Sequence, residues 1–191
     1  TEARRSKDER VAYREPHIEQ GPRLADRGGA LGGVSSIVGI AHGRVTVRGR
    51  QDHAGTTAMG DRRAALAGAA QMMAALEAAA GHRRDAVGTV GEISVRPGAK
   101  NVVPGECVFS IDVRAPDDRG VDVVLRQFKQ AMRLVSDVRG LRTSLDLLAQ
   151  VSAAPLDDGL RGVLRRACAA VGVDAPELPS GAGHDAQNAA H

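Results

Sequence analysis

Aromatic residues are scarce in this chain of 191 residues. They make up 2% of it, with no tryptophan, one tyrosine and two phenylalanines. Proteins that bind single-stranded nucleic acid stack bases on aromatic side chains, so this scarcity argues against that class. The charge balance argues the same way, because 26 basic residues are nearly matched by 23 acidic ones. We therefore expect no nucleic-acid partner.

Cysteines and long apolar runs are also lacking. Cys107 and Cys168 stand far apart and form neither a disulfide framework nor a zinc ribbon. No apolar run approaches the roughly 18 residues that a membrane-spanning helix needs. The first 16 residues are charged where a signal peptide would be apolar. These features predict a cytoplasmic protein with no membrane association.

The remaining composition is that of a globular protein, with 42% hydrophobic and 26% charged residues. Apolar periodicity predicts a central β-α-β-β-α-β order, in which Asp61 begins the first helix, Gly81 ends it and Asp117 begins the second. The elements are strands near 44–51, 87–95, 106–114 and 141–151, and helices over 62–81 and 117–137, with a loop at 52–59. This order is typical of a ferredoxin-like domain with a four-stranded antiparallel sheet, here over residues 43–151.

The flanking segments, 1–42 and 152–191, are too short to stand alone and are interpreted as two parts of another domain. Helices are expected over 1–16 and 156–171. The sequence therefore predicts an α/β chain in which one domain interrupts another, and it suggests a fragment of a longer protein.

Three of the six histidines lie in loops with polar or glycine neighbours. His17 is in HIEQG, where a strand would separate it from Gln20 and a turn would let the two converge. His53 is in a Gly/Thr loop after a strand, and His184 is in SGAGHD, whose backbone N–H groups could receive an anion or a carbonyl oxygen. Taken alone, each loop is more typical of an ordinary turn. No two histidines have the i, i+4 spacing of a zinc helix.

Two further side chains are candidates for contact with a substrate. Asn101 lies in PGAKNVVPG, where prolines and glycines fix the backbone around an amide that both donates and accepts. Arg114 ends an alternating strand, and its planar fork suits a carboxylate. The alternative for Arg114 is a solvated arginine at the end of a strand.

The strings HIEQGP, GRQDHAGTTAM, DRRAAL, VGTVGEISVRPGAKNVVPG, FSIDVRAPDD and LPSGAGHDAQ follow one another in that order. This series resembles the N-carbamoyl-L-amino-acid amidohydrolase, allantoate amidohydrolase and β-ureidopropionase group of the M20 superfamily. The resemblance implies a catalytic domain, represented by residues 1–42 and 152–191, with an inserted ferredoxin-like lid over 43–151 that also forms a homodimer. It also implies a small-molecule substrate that carries a ureido group and a carboxylate.

The resemblance assigns roles to residues in both domains. In the catalytic segments, His17 matches a ligand of one of two divalent metal ions, zinc, manganese or cobalt, and Gln20 matches a residue that contacts substrate. Gly183 and His184 match a loop that closes over the ureido group.

In the lid, His53 matches a histidine that reaches the active site of the partner subunit and polarises the scissile carbonyl. Asn101 and Arg114 match the residues that hold the substrate carboxylate. The implied reaction is hydrolysis of a linear C–N bond by a metal-activated water, with a glutamate as base.

Other parts of the family pattern are missing from this sequence. The His-x-Asp and Glu-Glu ligand motifs that precede HIEQGP have no counterpart, and neither does a final metal histidine. We therefore expect that this chain alone is inactive and binds no metal tightly. Two alternatives stay open: a metal-free dimerisation or ligand-binding module derived from the lid, and an M20 aminoacylase or peptidase.

Overall fold

The structure is a computed structural model that describes residues 12–190. The chain divides into two compact units. The central unit comprises Gly39–Ser152, and the flanking unit comprises the described residues of 1–38 and 153–191. The central unit therefore starts a few residues before the predicted boundary at residue 43.

The described residues form ten strands and four α-helices. The strands are β1 (Gly33–Ile37), β2 (Gly39–Arg48), β3 (Asp52–His53), β4 (Val87–Thr89), β5 (Ile93–Arg96), β6 (Val102–Val103), β7 (Glu106–Ala115), β8 (Arg142–Val151), β9 (Ala154–Pro155) and β10 (Glu177–Ser180). The helices are α1 (Ala65–Gly81), α2 (Asp118–Arg139), α3 (Asp158–Ala170) and α4 (Asp185–Ala190). None of these helices combines the length and the apolarity that crossing a bilayer requires.

The central unit contains an antiparallel sheet in the order β4-β7-β2-β8, and β5 also pairs with β7. Strands β2 and β7 pair along their whole length, from Gly39 opposite Ala115 to Arg48 opposite Glu106. This order confirms the predicted ferredoxin-like arrangement. The strand β8 is an open edge of the sheet.

Helices α1 and α2 cover one face of this sheet. Alternation along β7 places Cys107, Phe109, Ile111 and Val113 in the core beneath them. Phe128 of α2 is also fully buried, and burial of a side chain of this size stabilises the fold by roughly 2–3 kcal/mol. The opposite face carries the alternate, mostly polar residues of β2 and β7, and the candidate site residue Arg114 lies there.

The helix boundaries partly follow the prediction. Asp117 caps α2 by accepting a hydrogen bond from Gly120 N–H at 2.6 Å, as expected. Asp61 does not begin α1, which starts at Ala65. The reason lies outside this segment, because the carbonyl of Arg63 accepts the N–H of Arg50, 13 residues earlier, at 2.9 Å. That bond ties the residues before α1 to an extended segment.

Two other predicted elements differ from the structure. The single strand expected over 87–95 is divided into β4 and β5, because the N–H groups of Gly91 and Glu92 turn to the hydroxyl of Ser110, at 3.3 and 3.0 Å. The expected loop at 52–59 begins with β3, which pairs with β6. The pairing places the His53 loop beside Asn101.

The flanking unit contains a sheet in the order β10-β1-β9, with β1 parallel to β10 and antiparallel to β9. Helix α3 confirms the helix expected over 156–171 and is capped by Asp157, which accepts from Leu160 N–H at 2.8 Å. Of the helix expected over 1–16, residues 1–11 lie outside the described residues. Residues 12–16 are not helical, and Pro16 disfavours helix at the residue before it.

Candidate metal and substrate site

The flanking unit brings together Glu15, His17 and His184. Each offers a ligand atom, and these atoms all lie within 4.8 Å of one another. The imidazole rings of His17 and His184 stack with centroids 4.0 Å apart and planes inclined by 25°. Two motifs that are far apart in sequence, HIEQG and SGAGHD, thus meet in space.

Hydrogen bonds hold this cluster in place. The carboxylate of Glu15 accepts the N–H of Ala186 in the first turn of α4, at 3.0 Å. Nε2 of His184 lies 2.6 Å from the hydroxyl of Ser180 at the end of β10. Partial burial, and then the charge of His17, lower the pKa of His184 against a smaller opposing effect of Glu15. His184 is therefore favoured in the neutral form, which can bind a metal or a substrate.

The donor set has the chemistry of a divalent metal site. Two imidazoles and a carboxylate suit zinc, manganese or cobalt. Nδ1 of His17 lies against the carbonyl of Ile18, and a ligating histidine commonly uses one ring nitrogen in this way while the other binds the metal. Imidazole lone pairs lie in the ring plane, so the stacked rings must rotate before both can point to one ion.

The neighbouring residues of HIEQG form a tight turn. The carboxylate of Glu19 accepts the N–H groups of Arg23 and Leu24 at 2.8 and 2.9 Å. Gln20 has a φ of 56° and is exposed, so the chain reverses there in a left-handed conformation. Gly183 is exposed in the loop before α4. Both residues have the exposure that contact with a substrate requires.

In the central unit, the structure places His53 beside Asn101. His53 pairs with Val102 across β3 and β6, and Ala54 N–H donates to the carbonyl of Asn101 at 2.9 Å. Gly55 N–H donates to Nδ1 of His53 at 3.0 Å. The side chains of His53 and Asn101 are exposed, so this end of the unit presents an imidazole and an amide together.

Arg114 lies in a different cluster on the open face of the sheet. Its Nε and Nη2 donate to the two carboxylate oxygens of Asp112 at 2.9 and 2.8 Å. His42 on β2 stands opposite Asp112, with Nε2 3.0 Å from the same carboxylate. The hydrogen bond from Arg114 is the main cause of a lowered pKa at Asp112, and Asp112 in turn raises the pKa of Arg114.

The two central clusters lie at opposite ends of β7. Asn101 is in the loop before Glu106, where β7 begins, whereas Arg114 is eight residues further along the strand. At ~3.3 Å per residue, that is about 26 Å. Arg114 is near the end of the sheet where the chain enters the unit at Gly39. Within one chain, the length of β7 therefore separates Arg114 from the loop that carries Asn101.

Sequence reasoning missed three residues of these clusters. Glu15 precedes His17 by two residues, and alternation in an extended segment places such side chains on the same side. The same spacing links Asp112 to Arg114 along β7. His42 has no distinguishing neighbour in the sequence, and its contact with Asp112 depends on the cross-strand register.

Comparison with known proteins assigns the chain to a family. A family model described as the peptidase dimerisation domain, of the M20 type, matches residues 36–137. The chain is 37% identical to an N-carbamoyl-L-amino-acid amidohydrolase from Paenarthrobacter aurescens, with 96% of this chain and 45% of that protein covered. It is 35% identical to an allantoate deiminase from Arabidopsis thaliana, with 94% of this chain and 39% of that protein covered.

A solved structure gives the same result. The hydantoinase/carbamoylase family amidase from Burkholderia ambifaria superimposes with a TM-score of 0.86 at 36% identity, over 91% of this chain and 43% of that one. The chain therefore spans about half the length of the curated relatives that it matches. It belongs to the M20 family, in the group that includes the allantoate deiminases and the N-carbamoyl-L-amino-acid amidohydrolases.

Proposed function

We propose that this chain is part of a metal-dependent hydrolase that cleaves linear C–N bonds of ureido compounds, such as N-carbamoyl-L-amino acids or allantoate. The observation that carries the proposal is the meeting of His17, His184 and Glu15. His17 and His184 come from HIEQG and SGAGHD, two of the motifs that carry the resemblance to the ureido hydrolases, and Glu15 lies two residues before the first motif. The relatives whose names specify allantoate or carbamoyl amino acids support the same substrate class.

His17 is the proposed metal ligand in this chain, with Glu15 and His184 beside it. A bound divalent ion would supply an activated water and polarise the scissile carbonyl. We assign His184, together with Gly183 and Gln20, to contact with the ureido group. The neutral form of His184, which burial favours, can accept a hydrogen bond from a ureido N–H.

The lid residues provide contacts for the two ends of the substrate. Arg114 is the proposed partner of the substrate carboxylate, because a planar guanidinium suits a carboxylate. Two hydrogen bonds to Asp112 fix its direction. His53 and Asn101 are proposed donors to the substrate from the other end of the unit. Asn101 precedes the start of β7 at Glu106, and β7 extends about 26 Å from Glu106 to Arg114. We therefore infer that an active site that uses His53, Asn101 and Arg114 takes them from two copies of the chain.

This requirement agrees with a homodimer, which the description of the matching family model also suggests. In the proposed dimer, each lid contributes Arg114 to one active site, and His53 with Asn101 to the other. Analytical ultracentrifugation tests the oligomeric state. A protein that stays monomeric at micromolar concentration contradicts the two-copy site.

The proposed function is tested on the protein expressed from its complete coding region. The purified protein is incubated with manganese, cobalt or zinc and with N-carbamoyl-L-amino acids, N-carbamoyl-β-alanine or allantoate, and ammonia release is measured. We expect hydrolysis of at least one ureido compound and none of N-acetyl or dipeptide analogues.

Two histidine variants make the test specific. His17→Ala should abolish turnover, whereas His82→Ala, at the exposed C-terminal cap of α1, should leave it unchanged. Hydrolysis of dipeptides or N-acetyl amino acids in place of ureido compounds would instead support the peptidase or aminoacylase alternative.

A further inference from the structure

The loop after β3 folds back on the ring of His53. Gly55 N–H donates to Nδ1 of His53 at 3.0 Å, and Thr57 N–H donates to the His53 carbonyl at 3.2 Å. A backbone N–H can only donate, so Nδ1 is the acceptor and the proton of the neutral ring lies on Nε2. The loop thereby decides which ring nitrogen of His53 is the donor.

The close approach of this loop depends on the glycine at position 55. A Cβ there would lie 3.3 Å from Cε1 and 3.5 Å from Nδ1 of His53. A side chain at this position would be tight against the imidazole, which would have to shift by a few tenths of an ångström. Glycine lets the backbone close on the ring because it has no Cβ.

Arg62 holds the same loop through its guanidinium group. Its Nη2 donates to the carbonyl of Ala54 at 2.6 Å, and its Nε donates to the carbonyl of Thr57 at 3.0 Å. These two carbonyls stand on either side of Gly55. Hydrogen bonds from a charged donor are roughly twice as strong as neutral ones, and Arg62 is half-buried, which limits competition from water.

The segment that carries Arg62 is itself anchored. The carbonyl of Asp61 accepts Nη2 of Arg50 at 3.0 Å, and the same arginine is paired with Asp52 of β3. The segment then runs directly into α1, which is packed in the core. Arg62 therefore connects the surface loop to a segment that leads into a helix of the core.

We propose that Arg62 is a positioning residue that fixes the tautomer and the direction of His53. By holding the carbonyls of Ala54 and Thr57, it keeps Gly55 N–H on Nδ1 and leaves Nε2–H as the donor. Nε2 is exposed and has no hydrogen-bond partner within residues 12–190. In the proposed function, Nε2–H donates to the carbonyl oxygen of a ureido substrate. Only that part of the inference rests on the proposed function.

The test uses nuclear magnetic resonance on the ¹⁵N-labelled chain and needs no enzymatic activity. Long-range ¹H–¹⁵N correlation of the His53 ring should show an unprotonated Nδ1 and a protonated Nε2 in the wild type. In Arg62→Gln, the Nδ1 resonance should move toward the average of the two tautomers. The Gly55 amide should exchange with solvent at least about tenfold faster, because its hydrogen bond to the ring is no longer held.

Arg63→Gln is the matched control, since Arg63 is the next residue, is exposed and makes neither of the two loop bonds. It should leave the His53 ring and the Gly55 amide unchanged. Amide signals of the core strands β2 and β7 verify that each variant is folded. Arg62→Lys keeps the charge but offers one nitrogen for two carbonyls, so it should show an intermediate effect.

Two results overturn the proposal. One is a proton on Nδ1 of His53 in the wild type, and the other is a Gly55 exchange rate in Arg62→Gln that equals the wild-type rate. Both are measured without substrate. Failure to hydrolyse ureido compounds would therefore refute the proposed function. It would not affect the positioning role of Arg62, which these spectra test.

Discussion

Replacing Asp112 with asparagine removes the charge at the centre of the cluster with Arg114 and His42. In the wild type, the carboxylate receives two hydrogen bonds from Arg114, at 2.9 and 2.8 Å, and lies 3.0 Å from Nε2 of His42. The side chains of Asp112 and Arg114 are 30% and 32% exposed. Asn keeps the shape and one acceptor oxygen, so the variant isolates the contribution of the charge.

The expected loss in the free energy of unfolding lies between two known limits. Buried hydrogen bonds to charged groups contribute about 1.5–3 kcal/mol, and solvent-exposed ion pairs contribute about 0–1 kcal/mol. For a pair that is one-third exposed, we expect Asp112→Asn to lower the free energy of unfolding by about 1–1.5 kcal/mol at pH 7. For a unit of this size, the melting temperature should fall by roughly 3–6 °C.

The effect should depend on pH with a definite sign. Arg114 lowers the pKa of Asp112 in the folded state, so the ionised carboxylate stabilises the fold at every pH above its unfolded pKa of about 3.9. That stabilisation is lost as the pH falls through the folded pKa. The difference between wild type and Asp112→Asn should be constant above about pH 5 and should shrink below about pH 4.

Urea unfolding followed by circular dichroism measures this difference, because α1 and α2 of the central unit, with 17 and 22 residues, supply most of the helical signal. Asp85→Asn, in the exposed turn after α1, is the matched control and should show no change. Equal stability of Asp112→Asn and wild type at pH 7 would refute the assigned role of the ion pair, and so would a difference that does not change with pH.

Three further predictions concern the sheet, the metal and the dimer. Gly49→Ala should destabilise the central unit by about 1–3 kcal/mol, because the added Cβ would overlap the Arg63 carbonyl. Gly81→Ala is the control and should not destabilise the unit, since its Cβ would meet open space. Thermal unfolding compares the two variants. Isothermal titration of this chain with zinc should show no submicromolar site, because residues 12–190 bring only three donors together and the two histidine rings among them are stacked. Tight binding that is lost in His17→Ala would contradict this. In the protein expressed from its complete coding region, mixing His53→Ala subunits with Arg114→Ala subunits should restore the proposed activity, which neither variant should have alone. No recovery in verified mixed dimers would exclude the two-copy site.

Much of the central unit could be predicted because its signals are local. The alternation of Cys107, Phe109, Ile111 and Val113 predicts β7, and the N-cap Asp117 predicts the start of α2. The errors arose where a distant residue decides the local structure. The hydroxyl of Ser110 interrupts the strand expected over 87–95, and no periodicity within that segment could reveal it.

The candidate site was predictable to a similar extent. Motif resemblance predicts functional roles for His17 and His184, yet it does not indicate that their rings stack or that Glu15 joins them. Those contacts depend on how the flanking segments fold together through β1, β9 and β10. For Arg114, the spacing of the motif gave no information on distance, which only the register of β7 supplies.

The length of β7 acquires a meaning of its own in the proposed dimer. The number of residues in β7 sets the distance from Arg114 to His53 and Asn101. It thereby also sets the distance between the two active sites of the proposed dimer. Insertion of one residue would turn the side chains beyond it to the other face of the sheet. Insertion of two would keep the face and lengthen the spacing by about 6.6 Å. Core residues of β7 could therefore be exchanged for others of similar volume, while the number of residues between the two ends could not change.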